Sequence, residues 1–176
     1  MNIFDLSLID AFEELYWKYP DIIKVLEINF KSIYIRYEKK IEKYYIDKFE
    51  TIHINFEIQK FDNCILKGDK DRLIEVIQNV IENAIKYGDG EKISIEFSLE
   101  EGYELITIIN TGCNLKEEDL PHIFDSFYRG SNSKNKEGSG LGLYICKQLM
   151  FKMDGSIYSK IKDNNIFETT IVIKKV

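Results

Sequence analysis

Asp71-Arg72-Leu73-Ile74-Glu75-Val76-Ile77-Gln78-Asn79-Val80-Ile81-Glu82-Asn83-Ala84-Ile85-Lys86-Tyr87 is the stretch whose reading decides the fold. Its apolar residues recur at three- and four-residue steps from Leu73 to Ile85, so the segment is a helix with a broad apolar stripe. Gly68-Asp69 precedes it and Gly88 ends it. The opposite side is unusual. Asn79, Asn83 and Lys86 stand at i, i+4 and i+7 with Glu82 between them, which gathers all four on one polar row. Lys and Glu suit a solvated face. Two asparagines suit it less, because Asn is a poor helix former that normally sits at caps. An Asn oxygen is a neutral hard ligand suited to Mg²⁺, and a lysine one turn on meets the same phosphates.

Downstream, Ile93, Ile95, Phe97 and Leu99 alternate with polar residues. Glu100-Glu101-Gly102 supplies a turn, and Tyr103 to Asn110 returns as a more uniformly apolar, central strand. Thr111 to Glu137 is long and polar, with short helical pieces around Glu117 to Phe127; such a span within a compact domain is functional or mobile. Leu143 to Met153 reads as a helix ended by Asp154-Gly155, followed by strands Ser156 to Ile161 and Phe167 to Ile173 joined at Asn164-Asn165. Upstream lie a short strand around Cys64 to Leu66 and an alternating one over Ile52, Ile54, Phe56 and Ile58, with His53 facing outward. Before these, the spacing predicts a helix from Phe4 to Trp17, a connector over residues 21–30 and a second helix from Lys31 to Lys48. Hairpins in this order argue against a doubly wound parallel sheet. They predict a two-layer α/β (α+β) sandwich: a mixed five-stranded sheet covered on one face by about three helices, with the site in the loops of one edge.

The 176 residues, 44% hydrophobic and 13% aromatic, suffice for one well-buried domain with an appendage. A net charge of −6 argues against a nucleic-acid binder held by phosphate contacts. Cys64, Cys113 and Cys146 are odd in number and lack metal-ligand spacing, which argues against disulfides and zinc and for a reducing cytoplasm. No apolar run approaches the ~20 residues of a membrane span.

Three loop motifs carry further chemistry. Gly138-Ser139-Gly140-Leu141-Gly142-Leu143 places three glycines before a helix, a backbone suited to close approach by phosphates. Asn110-Thr111-Gly112 ends the central strand, where Asn110 either pairs with a nucleobase edge or caps a turn. Phe124 and Phe127, at i and i+3, read as anchors that hold a loop down. The following Arg129, Lys134 and Lys136 outweigh Glu137, which suits a flap over a polyphosphate.

Together these motifs resemble the ATP-binding catalytic domain of two-component sensor histidine kinases, in the superfamily that includes gyrase, mismatch-repair and heat-shock chaperone ATPases. Asn79 to Tyr87 is similar to the N box, Phe124 to Arg129 to the F box, and Gly138 to Leu143 to the second glycine box, in family order. The resemblance spans residues 31–176, with residues 1–30 as the end of a dimerisation helix and a connector. It implies ATP and Mg²⁺ as cofactors and a flexible lid over residues 111–137. Asn83 is implied as the Mg²⁺ ligand, with Asn79, Lys86 and Arg129 in the catalytic roles. Tyr87, Asn110, Gly112, Phe124, Phe127, Gly138, Gly140, Leu141, Gly142 and Leu143 would line the nucleotide site with Asn79, Asn83 and Lys86.

It also implies transfer of the γ-phosphoryl to a histidine on a dimerisation domain, a response regulator as partner, no nucleic acid, and a homodimeric, membrane-anchored full-length protein. Neither His53 nor His122 has the phosphoacceptor context, and Leu8 to Leu15 resembles the end of the second dimerisation helix. The chain therefore reads as a C-terminal fragment unable to autophosphorylate alone. Asn110 and Asn114 depart from the Asp-x-Gly-x-Gly pattern of the first glycine box, so weaker ATP binding is expected. Hydrolysing relatives carry a glutamate where this chain has Asn79. The alternatives are a gyrase-type ATPase, a nucleotide-binding module without catalysis, and the anti-sigma-factor type of serine kinase, which the F box argues against.

Overall fold

The computed structural model describes residues 6–7, 55–59, 64–133, 136–162 and 165–176. The decisive stretch forms helix α1, Lys70–Tyr87. Asp69 caps it by accepting the Arg72 N–H at 3.2 Å, and Asp71 and Lys86 complement the dipole at its two ends. Seven residues of the apolar stripe, Leu73, Ile74, Val76, Ile77, Val80, Ile81 and Ala84, are buried. Gly88 ends the helix in an extended conformation, φ −77°, not in the left-handed turn usual for a glycine cap. Crowding explains the glycine: a Cβ there would lie 2.7 Å from the Ala84 carbonyl oxygen and 3.0 Å from that of Thr111.

The strands are β1 (Leu6–Ser7), β2 (Asn55–Ile58), β3 (Ile65–Leu66), β4 (Lys92–Glu100), β5 (Tyr103–Asn110), β6 (Ser156–Lys162) and β7 (Ile166–Lys174). Five of them form one sheet in the order β2-β4-β5-β7-β6. β2 runs parallel to β4 and all other neighbours are antiparallel, so the sheet is mixed, as the hairpin pattern predicts. Glu101 and Gly102, both with positive φ, make the tight β4–β5 turn. Helix α2, Gly142–Lys152, lies beside α1 on the same face.

Ile93 and Ile95 of β4, Ile106 and Ile108 of β5, and Ile171 and Ile173 of β7 meet the α1 stripe, with Cys146 and Met150 of α2 closing the core. Apolar alternation in β4 outruns the core: Leu99 is exposed.

Two α-helices cover the sheet among the described residues. The predicted helix over residues 31–48, the connector, His53 and the 30/31 boundary lie outside them. Within the predicted helix from Phe4 to Trp17, Leu6–Ser7 is instead strand β1, paired antiparallel with β3; the remainder lies outside the described residues. Pairing with a distant segment overrides the local apolar spacing there.

Candidate functional site

A cleft of about 320 Å³ opens between the polar row of α1, the ends of β5 and β7, the loop after β5 and the start of α2. Asn79, Asn83, Lys86 and Tyr87 line one wall, and Gly138, Gly140, Gly142 and Leu143 face them. Asn110, at the end of β5, and Arg129, in the following loop, complete the predicted residues that the cleft brings together.

The two asparagines are held differently. Asn79 donates its Nδ2 to the Glu75 carbonyl at 2.9 Å, one turn back, which leaves its amide oxygen facing the start of α2. A Cβ on Gly142 would lie 3.2 Å from that oxygen, so the two helices approach closely here. The Asn83 amide enters no protein hydrogen bond among the described residues. No group of three or more His, Cys, Asp or Glu side chains suited to a metal occurs among the described residues. A cation here would rest on amide oxygens, phosphates and water, the ligand set of Mg²⁺.

Helix α2 begins without a side-chain cap at Leu141, so its first N–H groups remain available to an anion. The Lys86 ammonium lies above the Tyr87 ring at 5.3 Å from its centroid, and Lys136 reaches the same ring at 5.2 Å while donating to the Lys86 carbonyl. Arg129 donates from Nη2 to the Ser133 and Lys136 carbonyls at 2.8 and 2.5 Å, so its guanidinium braces the loop as well as lining the cleft. Glu82, at the rim, accepts from the Gln78 amide at 2.8 Å.

Four predicted residues do not line the cleft: Gly112, Phe124, Phe127 and Leu141. Gly112 has φ +73° and packs on Asp89, where a Cβ would come within 2.3 Å of the Asp89 Cβ, so the packing of the loop itself requires the glycine. Phe124 packs against the core, with the Lys147 ammonium 6.0 Å from its ring. Phe127 is 70% exposed with φ +62°, so only the first phenylalanine is an anchor.

Sequence reading missed part of the apolar lining of the cleft. Val80, Ala84, Ile108, Cys113, Leu115 and Ile123 line it. Burial pushes the Cys113 thiol up, which makes it a neutral wall. The signals available were split: Val80, Ala84 and Ile108 read as core positions of a helix and a strand, and Cys113, Leu115 and Ile123 are lone apolar residues in a polar span.

Missed also was Asp119, in the 3-10 turn Glu117–His122, which organises the loop. Its carboxylate accepts from the Ser131 hydroxyl and the Tyr128 hydroxyl, each at 2.5 Å, and from the Ser131 N–H at 3.1 Å. Ser131 first, then Tyr128, hold its carboxyl well below the usual range, at about 2. A depressed folded value means that this latch is complete above the ordinary carboxylate range and is lost as pH falls toward about 2. The Ser131 amide NMR shift is expected to titrate with a midpoint near 2 in the folded protein. Asp119→Asn should abolish that titration and speed proteolysis of residues 123–133 severalfold. His122, with Nδ1 3.0 Å from the Asp125 carboxylate, is an exposed residue of the same loop.

An amide and lysine wall, an uncapped glycine-rich helix start and an apolar slot define a nucleotide-binding α/β sandwich. The sequence pattern of the family described as "Histidine kinase-, DNA gyrase B-, and HSP90-like ATPase" matches residues 68–175, and the chain belongs to that family. It is homologous to the sensor protein SrrB of Staphylococcus aureus (strain NCTC 8325 / PS 47), 30% identical over 138 residues, which are 77% of this chain and 23% of that protein. The chain thus spans under a quarter of the length of the curated relatives it matches.

The Mycobacterial sensor histidine kinase MprB superposes with a TM-score of 0.71 at 17% identity over 97% of both chains. The nucleotide-free catalytic domain of histidine kinase ThkA gives 0.68 at 22%, over 99% of this chain and 97% of that one. ThkA in complex with the response regulator protein TrrA gives 0.63 at 20%, over 97% and 41%. The fold is that of histidine kinase catalytic domains. No helix among the described residues is long and apolar enough to cross a membrane.

Proposed function

We propose that this chain moves the γ-phosphoryl of Mg·ATP to a histidine on a dimerisation domain, for relay to a response regulator. The observation that carries this reading is the amide at position 79. Asn79 takes no proton at neutral pH, and its Nδ2 is tied to the Glu75 carbonyl. It therefore cannot activate water as a general base, the role implied for the glutamate of hydrolysing relatives. An imidazole is already a nucleophile, so the remaining task is to position the triphosphate and neutralise its charge.

In this reading Asn83 would hold Mg²⁺ through its amide oxygen, with Asn79 supporting it, and the ion would supply charge neutralisation for the triphosphate. Lys86 meets the phosphates from α1, the N–H groups at the start of α2 meet them from the other side, and Arg129 adds charge from the lid. The apolar side chains of the lining would receive the base. The whole protein is proposed to be a homodimeric membrane sensor whose cytoplasmic portion includes this domain, without a nucleic-acid partner.

Incubation with γ-labelled Mg·ATP and a dimerisation domain bearing an acceptor histidine is expected to label that domain, and the chain alone should remain unlabelled. Steady phosphate release without transfer would replace this reading by a gyrase-type ATPase.

A further inference from the structure

The span between β5 and α2 supplies much of the cleft wall, through Cys113, Leu115, Ile123, Tyr128, Asn132 and Ser133. Among its described residues there is no strand and no α-helix, only the 3-10 turns Glu117–His122 and Ser131–Ser133. How readily a ligand passes this wall depends on how the span is fastened to the elements around it.

Its start is fixed to the sheet, where the Cys113 N–H donates to the Asn165 carbonyl at 2.8 Å. Its far part is braced within itself. The Ser133 N–H and hydroxyl donate to the Gly130 carbonyl at 3.0 and 2.7 Å, and the Lys136 N–H donates to the Ser133 carbonyl at 3.1 Å. The Arg129 guanidinium joins the Ser133 and Lys136 carbonyls. Toward the last turn of α1, one hydrogen bond among the described residues holds this braced piece, from the Lys136 ammonium to the Lys86 carbonyl. That oxygen is one of the last four carbonyls of α1, which have no partner within the helix, and it lies at the negative end of the helix dipole, where a cation is favoured. The same ammonium stands 5.2 Å from the centroid of the Tyr87 ring. Gly138 follows closely: a Cβ there would lie 2.8 Å from Lys86 Nζ, so the chain just past Lys136 is seated on the Lys86 ammonium.

We infer that Lys136 is the clasp of the cleft: its ammonium fastens the span between β5 and α2 to the end of α1, and the opening of this clasp sets the rates at which nucleotide enters and leaves. This rests on the nucleotide reading above. It assigns Lys136 to a helix terminus and a ring, not to the phosphates, and the two assignments differ in their kinetics. A clasp made only of protein groups is a barrier to passage in both directions, so its loss speeds entry and release alike and leaves affinity unchanged. A cation on the phosphates stabilises the bound state alone, so its loss speeds release and weakens binding.

The test is stopped-flow binding of Mg²⁺ and methylanthraniloyl-ATP to the wild type, Lys136→Met and Lys136→Arg. Methionine keeps the length of the side chain and removes its charge and its donors; arginine keeps both. Lys136→Met is expected to raise the association and dissociation rate constants each by about fivefold, with Kd within about twofold of the wild type. Lys136→Arg should return both rates to near the wild-type values. In the ligand-free protein, Lys136→Met should also speed amide exchange of residues 129–133 severalfold. Faster release with weaker affinity and no faster association would place Lys136 on the phosphates and overturn the inference, as would two unchanged rates. Failure of the wild type to bind the nucleotide would defeat the nucleotide reading; the amide exchange would then decide the clasp, and unchanged exchange in Lys136→Met would overturn it.

Discussion

Asn83→Ala is expected to remove the Mg²⁺ dependence of nucleotide binding and to lower phosphoryl transfer about a hundredfold or more, while leaving the fold intact. The two effects separate for a structural reason. The Asn83 amide enters no protein hydrogen bond among the described residues, so its removal orphans no partner. Alanine is also the better helix former, by about 0.5 kcal/mol, at this position in the middle of α1. The variant should therefore melt at the same temperature as the wild type or slightly higher. Asn79 differs, because Asn79→Ala also removes the bond to the Glu75 carbonyl. Calorimetric titration with ATP, in Mg²⁺ and in a chelator, checks the prediction: the wild type should bind more tightly with Mg²⁺, and the variant should bind equally in both. Retained Mg²⁺ dependence would show that Asn83 is not the metal ligand.

An asparagine inside a helix, kept there against propensity, is what made the site readable from sequence. The same logic of period and exception recovered most of the fold. The apolar residues between Leu73 and Ala84 are buried along α1, and Ile93 and Ile95 fall on the inner face of β4, because periodicity records which face an element buries. It does not record what that face meets. Asp89 and Thr111 are 22 positions apart, and the hydrogen bond between their side chains has no local signature. Gly88 reads as a helix stop and Gly112 as part of the nucleotide site, yet a Cβ at either would collide with a segment distant in sequence, 3.0 Å from the Thr111 carbonyl oxygen and 2.3 Å from the Asp89 Cβ. Phe124 and Phe127 share a helical spacing, but only Phe124 reaches the core, since the chain turns at Phe127 through positive φ. Leu6–Ser7 belongs to the same class: its partner strand, not its own spacing, decides its conformation.

The glycine stretch before α2 shows the same limit and supports the second large effect. Gly140 has φ +74°, and a Cβ there would lie 2.6 Å from the Tyr128 carbonyl oxygen and 2.7 Å from the Phe127 carbonyl carbon. The glycine therefore lets the loop pack directly on the backbone of the lid, a reason for its presence that phosphate approach alone does not supply. Gly140→Ala must displace one of these backbones, and because Gly142 and Leu143 lie two and three residues on, the start of α2 is disturbed with it.

Gly102 is the control. It has φ +83° in the β4–β5 turn, with nothing within 4 Å of a Cβ. Gly102→Ala is thus expected to cost only the left-handed backbone penalty, about 1 kcal/mol, and to leave nucleotide binding unchanged. Gly140→Ala carries a similar backbone penalty plus the collision, and should weaken ATP binding at least about tenfold. Urea unfolding and ATP titration of the two variants side by side separate the terms. Equal ATP affinity in both would mean that the contact between Gly140 and Tyr128 is not maintained when nucleotide binds, and that the lid leaves the glycine loop before the phosphates arrive.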